Sequence, residues 1–282
     1  MYLRVYAVGV MTTWRIVRWA VVLGLVCAPS AGGAIQLAAP SQQPRGNGDV
    51  TPTLRQIEPG SSRAVEPDDP DQLYGHREEL ASAERAAGLW AAHAIADFDA
   101  AWKLSRVCYW LGTHAPESKR RAALERGVHA GETAVRTAPG RPEGHFWMAA
   151  NMGALAESFG LVQGMKYRGK IKRELENVIA IAPGWQGGSP EAALGQWYFK
   201  VPRLFGGSRA KAEEYLRRAL QYNPDSRVAL SFLADLVAAD GRLDERRALL
   251  QRVIDAPTDL EWIPEDNELK KKAAERLTAL GK

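Results

Sequence analysis

The sequence predicts an all-α fold of the α-solenoid class, with about four to five helix pairs in elongated, degenerate repeats. Prolines that follow predicted helix ends recur at Pro139, Pro183, Pro224 and Pro257, at intervals of 44, 41 and 33 residues. The last interval is close to the roughly 34 residues of a helix-turn-helix repeat, and the two longer intervals imply insertions. No stretch alternates apolar and polar residues for long enough to indicate a sheet. We therefore expect helix pairs that stack side by side.

One repeat can be followed residue by residue near the middle of the chain. The residues that match the repeat pattern are Leu194, Gly195, Tyr198, Ala212, Leu216, Ala219 and Pro224. This order is the tetratricopeptide pattern, in which a small residue lets a large side chain of the neighbouring helix approach closely. We assign Gly153 the same packing role in the preceding repeat. The pattern is degenerate, because Arg106 and Arg246 stand where it has glycine and alanine.

Apolar periodicity and the prolines predict ten helices. Their predicted ranges, in chain order, are 71–94, 99–113, 117–137, 142–159, 161–181, 189–201, 208–222, 226–239, 242–255 and 265–280. Glu265 and Asp266 suit the N-terminus of the last helix, where acidic side chains are favourable.

An insertion separates the two helices of the repeat that runs from Leu194 to Pro224. Pro202 ends a helix and leaves Leu204 and Phe205 in a loop. These two side chains either plug a gap between repeats or form a hydrophobic contact for a partner. Gly206 and Gly207 allow a turn, and Ser208 is expected to cap the next helix.

The N-terminal residues do not belong to the helical domain. Arg15 and Arg18 precede an apolar run from Trp19 to Cys27, which is followed by small residues up to position 34. This order predicts a signal peptide over residues 1–34, with a retained anchor as the alternative. Residues 35–70 are expected to be a flexible linker, and residues 71–282 the repeat domain. Cys27 could carry a lipid, although Gly24 and Val26 depart from the usual acylation signal. The predicted location is periplasmic, with the membrane reached only through a lipid or an uncleaved leader.

Charge excludes one class of partner. Without the predicted leader the chain has 34 basic and 33 acidic side chains, so nucleic acid binding has no electrostatic basis. The basic cluster between Lys166 and Arg173 is interpreted as a solvated face, with an acidic partner or a lipid surface as the alternative.

The usual catalytic, metal and cofactor motifs are missing from the sequence, so we predict neither an enzyme nor a bound cofactor or metal. His145 starts a predicted helix beside two aromatic residues and is interpreted first as a capping or core-edge imidazole. Cys108 lies in an apolar stretch and is expected to be buried.

Two segments resemble a known family. They are Gly144–Gly153 and the stretch from Leu194 to Ala212, which includes the Val-Pro and Gly-Gly insertion. Over roughly residues 71–280 the chain resembles the T-component family of tetratricopeptide-associated TRAP transporters. The resemblance implies a periplasmic repeat protein that docks the transporter's solute-binding subunit, sometimes as an oligomer, and helps to handle an apolar ligand.

The repeat register nominates Trp110, Glu157, Gln196 and Phe199 for the inner, concave face, with Lys103, Trp147 and Lys200 nearby. His145 and Arg203 are added as further candidates. The candidate binding residues are Lys103, Trp110, His145, Trp147, Glu157, Gln196, Phe199, Lys200 and Arg203. Aromatic residues interleaved with a few charges suit a peptide or protein partner. The predicted function is therefore an exported adaptor that binds a protein partner. The alternatives are a periplasmic carrier of an apolar small molecule or lipid, and a general envelope-assembly scaffold.

Overall fold

The computed structural model describes residues 69–280, and helices are the only regular elements in that range. The helices are α1 (Pro70–Gly75), α2 (Leu80–Ala91), α3 (Phe98–His114), α4 (Glu117–Thr137), α5 (Pro142–Ser158), α6 (Leu161–Ile181), α7 (Trp185–Lys200), α8 (Arg209–Tyr222), α9 (Arg227–Ala239), α10 (Leu243–Asp255) and α11 (Ile263–Leu280). A short 3-10 turn, Arg203–Phe205, lies between α7 and α8. The predicted all-α class is confirmed. The predicted leader, the lipidation at Cys27 and nearly all of the predicted linker lie outside the described residues.

Helices that are neighbours in the chain are neighbours in space. The pairs α3/α4, α5/α6, α7/α8 and α9/α10 pack closely, and first helices of successive pairs meet where α3 contacts α5 and α7 contacts α9. This arrangement is the helix-pair stacking of a solenoid, in which each repeat buries its apolar face against the next. Among the described helices, none is long and apolar enough to cross a membrane.

Glycines allow the closest helix approaches, but not all of the predicted ones do so. A Cβ atom on Gly195 of α7 would lie 2.7 Å from Leu216 Cγ of α8, so this packing prediction is confirmed. A Cβ atom on Gly153 would meet no described atom within 4 Å, so the packing role assigned to Gly153 is wrong. The close approach between α4 and α5 occurs instead at Gly131, where a Cβ atom would lie 2.6 Å from Met148 Cβ.

The first predicted helix, 71–94, is wrong as a single element. It is broken into α1 and α2, and Arg77 lies in the break with its side chain buried. The Arg77 guanidinium stacks over Tyr74 and Trp110, with 4.7 and 5.4 Å from its carbon to the ring centroids. These tertiary contacts need the chain to turn at this point. Local helix propensity does not anticipate them, because Trp110 is distant in sequence.

Candidate functional site

The structure covers part of the predicted inner face with its own C-terminal segment. We call residues 259–268 the closing segment. Trp262 of this segment stacks on Trp147 of α5 at 6.2 Å between ring centroids. Arg77 Nε donates to Glu265 Oε1 at 3.0 Å, and Glu268 Oε1 lies 2.9 Å from His114 Nε2 at the end of α3. The closing segment therefore occupies the surface between α3 and α5 that a partner would otherwise reach.

Two predicted binding residues on α3 contact the N-terminal part of the described chain, in and just after α1. Trp110 is buried, its Nε1 donates to the Arg77 carbonyl at 2.6 Å, and its ring stacks on His114. Lys103 Nζ lies 2.6 Å from Asp71 Oδ2 at the rim of a cavity of about 650 Å³ between α1, α3 and the closing segment. Both residues thus hold helices together in this structure.

Trp147 is placed at the centre of an aromatic group. It is only 4% exposed, and Tyr109 and Phe146 lie 5.9 and 5.2 Å from it between centroids. Its Nε1–H has no hydrogen-bond partner among the described residues. Such a donor is costly to bury, and a ligand carbonyl reaching it would remove that cost.

Four predicted residues lie towards the C-terminal ends of α5 and α7, where the charge of Lys200 acts on Glu157. We call Glu157, Gln196, Phe199 and Lys200 the inner cluster. Gln196, Phe199 and Lys200 share one face of α7 because Phe199 and Lys200 follow Gln196 by three and four residues. Glu157, Phe199 and Lys200 are half-buried, so a ligand can reach them.

Electrostatics link the two halves of the inner cluster. Burial raises the pKa of Glu157 to about 7, and the positive charge of Lys200 opposes that shift. Burial also raises the pKa of Tyr109, with a further contribution from the negative charge of Glu157. Near neutral pH the Glu157 carboxyl is therefore divided between a form that donates a hydrogen bond and a form that only accepts.

Gln196 is the most unusual member of the inner cluster. Its side chain is 7% exposed, yet neither its amide oxygen nor its amide nitrogen has a hydrogen-bond partner in the part of the chain that the structure describes. Buried polar groups are nearly always paired, so such an amide is a candidate for pairing with a ligand.

His145 lies away from the inner cluster and has a structural partner. Its Nδ1 lies 2.6 Å from Glu174 Oε2 of α6, and its Nε2 lies 3.0 Å from the Pro139 carbonyl. Both partners accept, so the doubly protonated ring donates to each. This geometry agrees with the interpretation of His145 as a core-edge imidazole.

The His145 pair predicts a pH-dependent stability. The hydrogen bond to Glu174 raises the pKa of His145, so its stabilisation is complete below the unfolded value of about 6.5 and is lost as pH rises through the folded value. Burial opposes the shift at Glu174, but the His145 hydrogen bond lowers the pKa of that carboxyl, so its contribution is lost only in acid. We expect His145→Gln to cost about 1 kcal/mol more at pH 6 than at pH 9.

Chemical denaturation across this pH range measures the difference. His129→Gln is the matched control, because the His129 side chain is 81% exposed. Equal pH profiles for the two variants would contradict the assignment.

Arg203 points outward in the 3-10 turn and is not part of the inner cluster. Its neighbour Leu204 is 88% exposed, so Leu204 does not plug a gap between repeats. Phe205 is 38% exposed and lies under the Arg168 guanidinium, so it is partly covered by its own chain. A hydrophobic contact of this insert with a partner stays a prediction.

Two expectations about chemistry concern Cys108 and metal ligands. Cys108 is buried, as predicted, and burial raises the pKa of its thiol to about 12, so it is not a reactive thiolate. Within residues 69–280 no group of three His, Cys, Asp or Glu side chains could hold a metal ion.

Sequence reasoning missed the residues of the closing segment and its anchors. Trp262 and Glu265 pair with residues far away in the chain, and Arg77 is 188 positions from Glu265. No local signal marks such a pairing. Tyr109 could have been found, because it lies next to Trp110 on the helix that the repeat register assigns to the inner face.

The fold and its inner face define the class of the protein as a tetratricopeptide-like helical-repeat protein. A crystal structure of TTC0263, a thermophilic TPR protein of Thermus thermophilus, matches with a TM-score of 0.56 and 24% identity over 74% of this chain and 97% of that chain. This likeness shows the fold. A comparison with curated proteins finds no match.

The family follows from a second comparison. The family model "Regulator of microtubule dynamics protein 1-3" (RMD1-3) matches residues 69–281, and the chain belongs to this family. The resemblance to TRAP T-components is not confirmed by these findings. The class of fold is typical of non-enzymatic scaffolds for protein interaction.

Proposed function

We propose that this chain is an adaptor that binds a protein partner through the inner cluster. The observation that carries the proposal is the Gln196 amide, which is buried beside Phe199 and Lys200 with no hydrogen-bond partner among residues 69–280. A primary amide offers one acceptor and two donors, and an extended peptide backbone presents the matching N–H and C=O groups. Phe199 supplies apolar area next to this polar pair, as expected for a binding hot spot.

The proposed partner is a periplasmic solute-binding protein of the TRAP type. This part of the proposal rests on the predicted leader and on the resemblance of the Leu194–Ala212 stretch to TRAP T-components. A second copy of this chain is a further proposed partner, which would give a homo-oligomer. From the RMD1-3 match we carry over only the helical-repeat class. Mass spectrometry of the native N-terminus tests export, because cleavage after Gly33 or Ala34 leaves a chain that starts at residue 34 or 35.

A carrier of an apolar small molecule or lipid is the second candidate. The aromatic group of Tyr109 and Trp147, with the half-neutral carboxyl of Glu157 near Tyr109, favours it. A general envelope-assembly scaffold would use the same inner cluster for a different protein.

The inner cluster predicts a position-dependent cross-link. A photo-crosslinking amino acid at position 199 of the full chain is expected to capture one protein of defined mass in intact cells. Lys200→Glu in the same chain is expected to reduce this capture roughly tenfold, because it reverses a charge inside the contact. Lys270→Glu, at an exposed position of α11, is the matched control and should leave capture unchanged.

The outcomes separate the candidates. A covalent adduct with a lipid instead of a protein supports the carrier. Equal capture by the Lys200→Glu and Lys270→Glu chains overturns the inner cluster as the contact surface.

A further inference from the structure

Exposed apolar side chains outside the inner cluster lie at the start of α6 and in the turn after α7. Val162 and Met165 lie at the start of α6, and Leu204 and Phe205 lie in the 3-10 turn after α7. All four are exposed, and Leu204 is the most exposed large apolar residue among those that the structure describes, at 88%. Together with Lys166, Arg168 and Arg203 we call them the basic-apolar patch.

The contacts of Arg168 show that the patch is continuous. Its guanidinium carbon lies 5.0 Å from the centroid of the Phe205 ring, and its Nη1 lies 3.5 Å from Met165 Sδ. Val162 is one helical turn before Met165 and shares its face of α6. Trp197 Nε1 donates to the Arg168 carbonyl at 3.0 Å, which ties α7 and the turn to this part of α6.

The turn holds Leu204 in place. Gly207 N donates to the Pro202 carbonyl at 3.2 Å, and Ser208 N donates to the Tyr198 carbonyl at 2.9 Å. A Cβ atom on Gly207 would lie 1.6 Å from Val201 O, so this turn requires glycine. An apolar tip held outward by such a turn contributes exposed area without the ordering cost of a flexible loop.

The charged residues of the patch are all positive. The sequence contains no acidic residue from position 161 to 173 or from 192 to 212. Glu132 and Glu176 neutralise Lys170 and Lys172 farther along α6, with N–O distances of 2.6 and 3.4 Å. The cations of the patch itself, Lys166, Arg168 and Arg203, have no ion pair with a described carboxylate within 4 Å.

We propose that the basic-apolar patch docks this domain on an anionic lipid surface. Apolar side chains that enter the headgroup boundary, flanked by Lys and Arg that meet lipid phosphates, are the chemistry of peripheral membrane contact. Leu204 protrudes instead of lining a groove, and a protruding apolar side chain can insert into the headgroup region of a bilayer. The proposal does not depend on the proposed adaptor function, since the patch shares no residue with the inner cluster.

A fluorescent reporter on the full chain tests the docking. In a Cys27→Ser background, Leu204→Cys is labelled with nitrobenzoxadiazole, and the buried Cys108 stays unlabelled. Leu260→Cys is the matched control, because Leu260 is 85% exposed but lies between Asp259 and Glu261. Vesicles of phosphatidylcholine alone are compared with an equimolar mixture of phosphatidylcholine and phosphatidylglycerol.

The label at position 204 is expected to brighten roughly threefold with the anionic vesicles only, and the label at 260 to stay unchanged. Lys166→Gln with Arg203→Gln should raise the lipid concentration for half-maximal response by roughly tenfold or more. The fluorescence of the label reports the polarity around position 204 only. Binding of the N-terminal residues to the vesicles would therefore not produce this result. No response at 204, equal responses at 204 and 260, or a response only to an acidic protein would overturn the proposal.

Discussion

Replacement of Arg227 by alanine is expected to lower the free energy of unfolding by about 3–5 kcal/mol, the largest effect of any single change considered. Arg227 begins α9 and is only 3% exposed. Its Nε donates to the Val253 carbonyl at 3.0 Å, its Nη1 donates to the Pro257 carbonyl at 2.9 Å and to Asp266, and its Nη2 donates to the Ala256 carbonyl.

The size of this effect follows from the polar groups that would lose their hydrogen-bond partner when Arg227 is removed. The carbonyls lie in the last turn of α10 and just after it, where a helix has no internal donors for them. Alanine would leave these carbonyls and the buried Asp266 carboxylate without their cation, and the uncompensated charge is the costly part. Asp266 stands in the first turn of α11, so the change also loosens the junction between α10 and α11.

Chemical denaturation measures the change. Arg247→Ala is the matched control, because the Arg247 side chain is 56% exposed and its ion pair with Asp244 is long, at 3.8 Å. We expect this control to change stability by less than about 0.5 kcal/mol. Similar losses for both variants would show that Arg227 does not hold this junction.

The second large effect is expected at Gly195. Gly195→Leu should destabilise the protein by roughly 3 kcal/mol, because the added side chain overpacks a tight helix contact. Its Cβ atom alone would lie 2.7 Å from Leu216 Cγ and 3.1 Å from the Ala212 carbonyl oxygen. The carbonyl belongs to the backbone of α8, so the two helices must separate to accept leucine.

Gly153→Leu provides the comparison within the same kind of helix. Apart from the backbone of α5 itself, no described atom lies within 4 Å of a Cβ at this position, so leucine enters open space and gains helix propensity. We expect stability to stay level or to rise by about 0.5–1 kcal/mol. The melting temperatures of Gly195→Leu and Gly153→Leu, measured side by side, test this difference. Equal changes in melting temperature for the two variants would contradict the packing assignment.

The helices from α3 onward could be predicted because their signals are local. The predicted ranges 117–137 and 161–181 agree with α4 and α6 to the residue, and Pro139 and Pro183 mark where these helices have ended. Apolar periodicity and a terminating proline act within one or two turns, so they do not depend on the rest of the chain.

The candidate site was predictable only in part. The repeat register nominated Gln196 and Phe199 with Lys200 nearby, and the structure brings Glu157 within the electrostatic influence of Lys200. Trp147, predicted as a contact residue because it lies near the register positions, is covered by Trp262 in the structure. Whether these residues bind a partner stays a prediction.

The sequence by itself determined the helical class, the helix pairs and the repeat register at Gly195, because each depends on the spacing of residues within a few turns. Only the tertiary structure decided that Gly153 faces open space, that Arg77 breaks the first helix and that the closing segment covers part of the inner face. The physical reason is that these features depend on contacts between residues far apart in the chain, such as Arg77 with Glu265 across 188 positions, and no local pattern encodes which distant partner arrives.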